Sequence, residues 1–307
     1  MKRAMLGFLM VAILVCVGCG EKSKQDTASR TRSDGKLTVL TVNYPLAYFA
    51  SRIGGDQVDA SYPGPDDQDP AFWNPSSQAV SAYQAADLIL LNGATYAKWV
   101  PKVTLPSSKL VNTSAEFGDR FITVVDAETH AHGPGGEHAH AGTAFTTWLD
   151  LTQAVAQACA IRDAFSAARP GRADHFDAEF KKLTRDLVAL DHQLTTLVSG
   201  KNDRPLVASH PVYQYLARRY DLNLEPVMWE PETVPSLRQW EELRRLLENH
   251  PASWMVWEGQ PAAESVSRLE ALGVGSLVFD PCATPPATGD FLTVMQANVE
   301  ALAAAFQ

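Results

Sequence analysis

The most constraining feature of the chain is one long amphipathic segment near its middle. Between residues 171 and 200, apolar side chains recur at steps of three and four residues: Phe176, Phe180, Leu183, Leu187, Leu190 and Leu194. This spacing places one apolar stripe on a helix, and about 28 helical residues would extend roughly 40 Å at 1.5 Å per residue. Because a helix of this length exceeds a typical globular one, we expect it to join two folded lobes.

Strand-like and helix-like segments alternate on both sides of this helix. Before it, the runs "LTVLTV" and "LILL" alternate with stretches of helical period, and after it "PLVAS", "WMVW" and "SLVF" do the same. Such alternation predicts parallel sheets covered by helices. The predicted fold class is therefore α/β, with two α/β lobes of mainly parallel sheets. We expect an N-terminal lobe over 36–170, the linking helix over 171–200 and a C-terminal lobe over 201–307.

The first residues have the pattern of a targeting segment. Two basic residues precede an apolar run over 4–17, which is short for a spanning helix and typical of a secretory signal. The run ends in "VGC", which resembles a bacterial lipobox with Cys19 as the lipidated residue. We expect a lipoprotein signal peptide over 1–18 and a flexible polar tether over 19–35. The predicted location is extracytoplasmic, on a membrane-anchored lipoprotein of the periplasm or of the outer face of the cell membrane.

Charge and motifs favour a binding protein over an enzyme. The formal net charge of -9 disfavours nucleic acid as a partner and suits a cation. The sequence holds no G-x-S-x-G elbow, no phosphate-binding loop and no H-E-x-x-H pair, which are signatures of common hydrolases and nucleotide-binding proteins. Cys159 lies in a helical pattern, and we expect it not to pair with Cys282. We therefore expect no enzymatic activity.

Two kinds of residue suggest a metal site. The segment "HAHGPGGEHAH" carries His130, His132, His138 and His140, and its glycine and proline content predicts neither helix nor strand. In addition, "LVASHP" and "SLVFDP" place His210 and Asp280 directly after strands. Ligands of open parallel sheets bind beyond the carboxyl ends of the strands, and an imidazole with a carboxylate is half of a typical zinc site.

Six stretches, in order along the chain, resemble one known family. They are "TVNYPLAYFASRIGG", "QDPAFWNPSSQAV", "AADLILLNGATYAKWV", the histidine-rich segment before "TTWLDL", "SHPVYQYLARRYDL" and "VFDP". The chain in these stretches is similar to the substrate-binding lipoproteins of bacterial zinc and manganese ABC transporters, the zinc-uptake solute-binding family. The resemblance implies that the long helix is rigid, that a cleft between the lobes holds the metal, and that a membrane permease is the partner.

The implied ligand set is incomplete in this chain. The family holds its metal with three histidines and one acidic residue, and two of these positions match His210 and Asp280. The other two positions are Ala71 and Thr146, neither of which suits zinc. The chain is thus a variant that lacks two of the usual histidine ligands, both from the first lobe.

Three interpretations of this gap remain open. The histidine-rich segment could supply the missing imidazoles. Nearby carboxylates could replace them, either from "GPDDQDP" or from "WEPETVPS". Alternatively, the cleft has lost tight metal binding and holds another solute. The carboxylates concerned are Asp66, Asp67, Asp69, Glu230 and Glu232. We expect Ala71, Trp73, Thr146 and Glu232 to line the cleft.

Taken together, these features predict the solute-binding protein of a metal-uptake ABC transporter. Its cargo would be a divalent cation, with zinc preferred over manganese because His210 is an imidazole ligand. We expect a monomer that reaches the membrane through its lipid anchor. The alternative is a non-metal binding or adhesin-like accessory lipoprotein on the same scaffold with a degenerate metal site.

Overall fold

A computed structural model describes residues 35–66, 68–124 and 142–307, together with the backbone of 129–131 and 137–139. The predicted signal peptide, Cys19 and nearly all of the predicted tether lie outside the described residues. So do Asp67, His132 and His140. Within the part that is described, no helix combines the length and the apolar character needed to cross a membrane.

The first lobe is built on a parallel four-stranded sheet with strand order β2-β1-β3-β4. Three helices accompany it. The elements are β1 (Leu37–Thr41), α1 (Tyr44–Gly54), β2 (Val58–Ser61), α2 (Ser77–Ala85), β3 (Leu88–Leu91), β4 (Leu110–Asn112) and, later in the chain, α3 (Leu151–Ala168). The α1 helix begins where Asn43 Oδ1 accepts a hydrogen bond from the Leu46 amide, and it ends at Gly55, whose φ of 54° suits glycine.

Short antiparallel strands lie between β4 and α3. They are β5 (Thr123–Val124), β6 (Thr129–Ala131), β7 (Glu137–Ala139) and β8 (Gly142–Thr143), and they pair as β5 with β8 and β6 with β7. The prediction of neither helix nor strand for the histidine-rich segment is thus wrong for β6 and β7. Glycine and proline lie between these two strands, where a hairpin tolerates them. The backbone positions of His130 and His138 are directly opposite each other.

The long helix is α4 (Ala173–Val198). It begins two residues later than position 171 because Pro170–Arg172 forms a 3-10 turn. Its buried stripe consists of Phe176, Leu183, Leu187, Leu190, Leu194 and Val198, which includes five of the six residues of the predicted pattern. The helix packs against α1 and α3 of the first lobe and against the last helix of the second lobe, so it contacts both.

The second lobe repeats the architecture with a parallel sheet of order β10-β9-β11-β12. Its elements are β9 (Leu206–Ala208), α5 (Gln214–Tyr220), β10 (Leu224–Pro226), α6 (Leu237–Asn249), β11 (Trp254–Trp257), α7 (Ala263–Glu270), β12 (Gly275–Val278) and α8 (Phe291–Leu302). The predicted fold class, two α/β lobes with parallel sheets and one long helix, is confirmed.

The main hydrophobic core runs through both lobes and includes α4. At the junction of the lobes, the ring of Phe291 in α8 lies 5.7 Å from that of Tyr48 and 5.3 Å from that of Phe49 in α1. A second cluster, around Trp229, Trp240 and Trp257, fills the other side of the second sheet. Because aromatic packing crosses the junction, the lobes are joined by their core as well as by α4.

Candidate metal centre

Each strand of the second sheet is followed by a residue that can bind a metal. Glu230 comes after β10, His210 after β9, Glu258 after β11 and Asp280 after β12. Since all four strands are parallel, their carboxyl ends meet at one edge of the sheet. The sheet order therefore places His210 between Glu230 and Glu258, with Asp280 beyond Glu258.

The measured geometry agrees with this placement. His210 Nδ1 lies 3.9 Å from Glu230 Oε1 and 3.8 Å from Glu258 Oε1. One ligand atom from each of these three residues lies within 4.8 Å of the other two. Ligand atoms about 2.0–2.1 Å from a tetrahedral zinc ion are roughly 3.3 Å apart, so each side chain needs to move by less than about 1 Å to close on an ion.

Backbone hydrogen bonds extend the sheet past the strand ends and fix the positions of the candidate metal ligands relative to one another. The Ser209 amide donates to Val256 O at 2.8 Å, and the Trp229 amide donates to Ser209 O at 2.7 Å. On the far side of β11, the Phe279 amide donates to Trp257 O at 2.8 Å. Each of these bonds ends within one residue of a candidate ligand, so the positions of the ligands follow from the ladder of the sheet.

Asp280 is held by its own hydrogen bonds. Its carboxylate Oδ1 accepts from the Cys282 amide at 2.7 Å, and its backbone is bound at both the amide and the carbonyl by the side chain of Asn298. Burial raises the pKa of Asp280, and the bond from Cys282 opposes that shift. One carboxylate oxygen is therefore held by the turn, which leaves the other oxygen for an ion.

The site is strongly acidic. Burial raises the pKa of Glu258 well above its ordinary value, and the charges of Glu230, Asp69 and Asp280 add to that effect in this order. The Glu258 side chain nevertheless retains 20% exposure, whereas His210 retains 1%. Carboxylates crowded in this way repel one another, and a divalent cation among them would relieve the repulsion.

These residues line a cavity of about 830 Å³ whose walls come from both lobes. The second lobe contributes the four donors and the loops that follow them. The described wall from the first lobe consists of Asp66, Gln68, Asp69, Pro70, Tyr96, Phe145, Thr146 and Trp148. That wall offers aromatic rings and carboxylates but, among the described residues, no imidazole.

The residues expected to line the cleft lie in different places. Thr146 and Glu232 are on the cavity wall, and the Thr146 hydroxyl donates to Val212 O at 2.5 Å across the junction of the lobes. Ala71 is fully buried, and Trp73 packs against Tyr62 and Trp99. Both belong to the core of the first lobe rather than to the cavity wall that the described residues form.

Some of the other predicted metal-binding residues line the cavity, and the rest lie where the structure describes no side chain. His210 and Asp280 line the cavity together, and so do Asp66, Asp69 and Glu230. His130 and His138 are described only by their backbone, and Asp67, His132 and His140 lie outside the described residues. Cys159 and Cys282 are both free thiols.

Glu258 is the candidate ligand that the sequence analysis missed. It follows the buried run "WMVW" directly, whereas His210 and Asp280 are each the second residue after their strands, β9 and β12. The rule that predicted those two residues, a metal-binding side chain at the end of a buried parallel strand, would also have found Glu258.

The chain resembles known proteins over nearly its whole length. The family model described as "Zinc-uptake complex component A periplasmic" matches residues 39–305. The zinc-binding lipoprotein AdcA of Streptococcus pneumoniae serotype 4 is 27% identical over 316 residues, covering 98% of this chain and 60% of AdcA. The high-affinity zinc uptake system protein ZnuA of Bacillus subtilis is 24% identical, covering 88% of this chain and 85% of ZnuA.

Solved structures show the same fold. The crystal structure of Zn(II)-bound AdcA from Streptococcus pneumoniae has a TM-score of 0.75 at 23% identity, covering 89% of this chain and 58% of AdcA. The metal-dependent lipoprotein YcdH of Bacillus subtilis also has a TM-score of 0.75, at 20% identity, and is covered completely. This chain thus spans about 60% of AdcA but the whole of the shorter relative. Because the family model matches almost the entire folded part of the chain, the protein belongs to the periplasmic component A family of zinc-uptake complexes.

Proposed function

We propose that this protein captures a divalent cation, zinc in the first instance, in the cavity between its lobes and delivers it to the membrane permease of an ABC transporter. The observation that carries the proposal is the convergence of His210, Glu230 and Glu258 at the end of one parallel sheet. Zinc relatives in the same family support the choice of cargo.

The chemistry of the three side chains suits this cargo. Zinc accepts imidazole nitrogen and carboxylate oxygen in a tetrahedral arrangement. Two carboxylates would neutralise the charge of the ion, and the nearly inaccessible His210 would provide the nitrogen that favours zinc over harder cations. Asp280 stands beside this group as a possible fourth donor.

The finer parts of the proposal rest on the family and on the first residues. Delivery to a permease follows from membership of a zinc-uptake family. A lipid on Cys19 would keep the protein beside that permease, as the lipoprotein relative AdcA suggests. The histidine-rich segment would act as an additional, weaker collector of ions.

Zinc titration by calorimetry tests the proposal. The parent protein is the full chain in mild detergent, with His130, His132, His138 and His140 replaced by alanine so that only the cavity is measured. We expect one zinc ion per chain. Since His210 is the nitrogen ligand, His210→Ala should weaken binding at least about 100-fold, while His192→Ala, which removes an exposed imidazole from α4, should change nothing. Equal binding in the His210→Ala and His192→Ala proteins would exclude the cavity as the zinc site.

The same titration separates the alternative function. The parent protein is compared with the protein that keeps the histidines of the histidine-rich segment. If the parent binds no zinc while that protein binds several ions weakly, the cavity holds another solute. The protein would then be an accessory binding lipoprotein on this scaffold.

A further inference from the structure

The loop that follows β2 brings two carboxylates of the first lobe, the exposed Asp66 and the partly buried Asp69, into the same cavity. Asp69 lines the cavity together with His210, Glu230 and Glu258. It stands two residues before Ala71, the position at which the related proteins are expected to place an imidazole. To serve as a ligand, the Asp69 carboxylate must have a fixed position and must be able to reach the ion that His210, Glu230 and Glu258 bind.

Asp69 is part of a tight, anchored turn. Its Oδ1 accepts from the Ala71 amide at 2.9 Å, and its carbonyl accepts from the Phe72 amide at 3.1 Å. Ala71 is fully buried, and its carbonyl accepts from the Lys98 amide at 3.2 Å, which ties the turn to the core. The Asp69 carboxylate therefore has a defined position at the cavity wall and loses little conformational entropy when it binds an ion.

Asp69 lines the first-lobe wall of the cavity, across from His210, Glu230 and Glu258. It lies outside the group of three residues whose ligand atoms are within 4.8 Å of one another. Its carboxylate would therefore approach that group when an ion binds. Burial lowers the pKa of the half-buried Lys98 ammonium and the charge of Asp69 opposes that shift, while Lys98 Nζ donates to Thr95 Oγ1 at 3.2 Å.

We propose that Asp69 provides the first lobe's ligand to the bound cation, in place of the imidazole that Ala71 and Thr146 cannot supply. This inference rests on the proposed function. The cation is then held by one nitrogen from His210 and by carboxylate oxygens from both lobes, with Glu230 and Glu258 on one side and Asp69 on the other. A single ion bridges the two walls.

The test replaces Asp69 by asparagine in the parent protein, in which the four histidines of the histidine-rich segment are already alanine. Asparagine keeps an oxygen that accepts from the Ala71 amide, so the turn is preserved while the charge is removed. We expect zinc affinity to fall about ten-fold or more. A matched control loses the same charge: Asp59→Asn changes an exposed residue of β2 that does not line the cavity. It should stay within about two-fold of the parent.

A spectrum adds a readout that a structural role would not move. Cobalt(II) bound in place of zinc absorbs in the visible range according to its ligands, so Asp69→Asn should change the band of the cobalt complex while Asp59→Asn leaves it unchanged. If Asp69→Asn binds zinc like the parent, or loses no more affinity than Asp59→Asn, then Asp69 is not a ligand of the ion, and the inference is wrong.

The two proposals fail in different ways. Loss of zinc binding in His210→Ala with no effect of Asp69→Asn would leave the proposed function standing and remove only Asp69. Absence of zinc binding in the parent protein would remove both.

Discussion

Glu258 carries a carboxylate in a place that disfavours its charge. Burial and the neighbouring charges of Glu230, Asp69 and Asp280 all raise its pKa. In the metal-free protein this arrangement lowers the free energy of unfolding near neutral pH. Ionising Glu258 costs more free energy in the folded state than in the unfolded chain. A bound cation reverses the sign of the interaction. We therefore propose that Glu258 serves cation binding at a cost in stability.

Glu258→Gln should therefore raise the stability of the metal-free protein and lower its affinity for zinc. The folded pKa lies above the unfolded one, so the contribution of Glu258 to stability is fully present below the ordinary carboxyl range and is lost as pH rises through the raised pKa. Metal-free Glu258→Gln should therefore melt at a higher temperature than the parent near neutral pH, and the difference should shrink toward about pH 4. Its zinc affinity should be lower.

Thermal melts in the presence of a chelator, at several pH values, measure the first effect, and calorimetry measures the second. Glu241→Gln, a change at an exposed residue of α6 outside the cavity, is the matched control. A pH-independent difference, or a less stable metal-free variant at neutral pH, would contradict this account of Glu258.

Part of the site could be predicted from single residues and part could not. His210 and Asp280 were predicted from their places after buried strands, and the same rule applies to Glu258. Asp69 was one of several acidic candidates, and nothing local distinguishes it from Asp66 in "GPDDQDP". The difference between them is the hydrogen bond from the Ala71 amide to Asp69 Oδ1, together with the burial of Ala71 in a core whose other members are distant in sequence.

At the scale of elements, α4 shows why the fold was easier to predict than the site. A helical period is a local property, and all but one of the patterned residues are buried on one face of the helix. The β6–β7 hairpin shows the opposite case. Its strands are three residues each, which is too short for a periodic pattern to be visible beside glycine and proline.

The packing of α4 gives a prediction with an internal control. Leu187 is fully buried in the main core, whereas the next residue, Val188, is 53% exposed. Leu187→Ala should lower the free energy of unfolding by about 2–5 kcal/mol through lost burial and a cavity. Val188→Ala should change it by less than about 0.5 kcal/mol. Urea unfolding followed by circular dichroism measures both, and similar losses in the two variants would show that α4 does not present this face to the core.

At the scale of the whole molecule, the cavity has two unequal walls. The second lobe places a candidate metal ligand after every strand of its sheet. The described first-lobe wall offers mainly aromatic side chains and the two carboxylates of Asp66 and Asp69. The lobes are bonded beside the cavity, where Trp148 Nε1 donates to Pro281 O at 2.8 Å and Tyr215 donates to Ala144 O at 2.9 Å. The family resemblance predicted this framework and the positions of His210 and Asp280, but no ligand from the first lobe, because two family positions are changed there to Ala71 and Thr146.

The position of the bound ion tests the central claim most directly. Crystals of the full chain grown with zinc, measured at the zinc absorption edge, would locate every ion by anomalous scattering. We predict one strong peak in the cavity, about 2.0–2.2 Å from a nitrogen of His210 and from carboxylate oxygens of Glu230 and Glu258. Peaks confined to the histidine-rich segment, with none beside His210, would contradict the account.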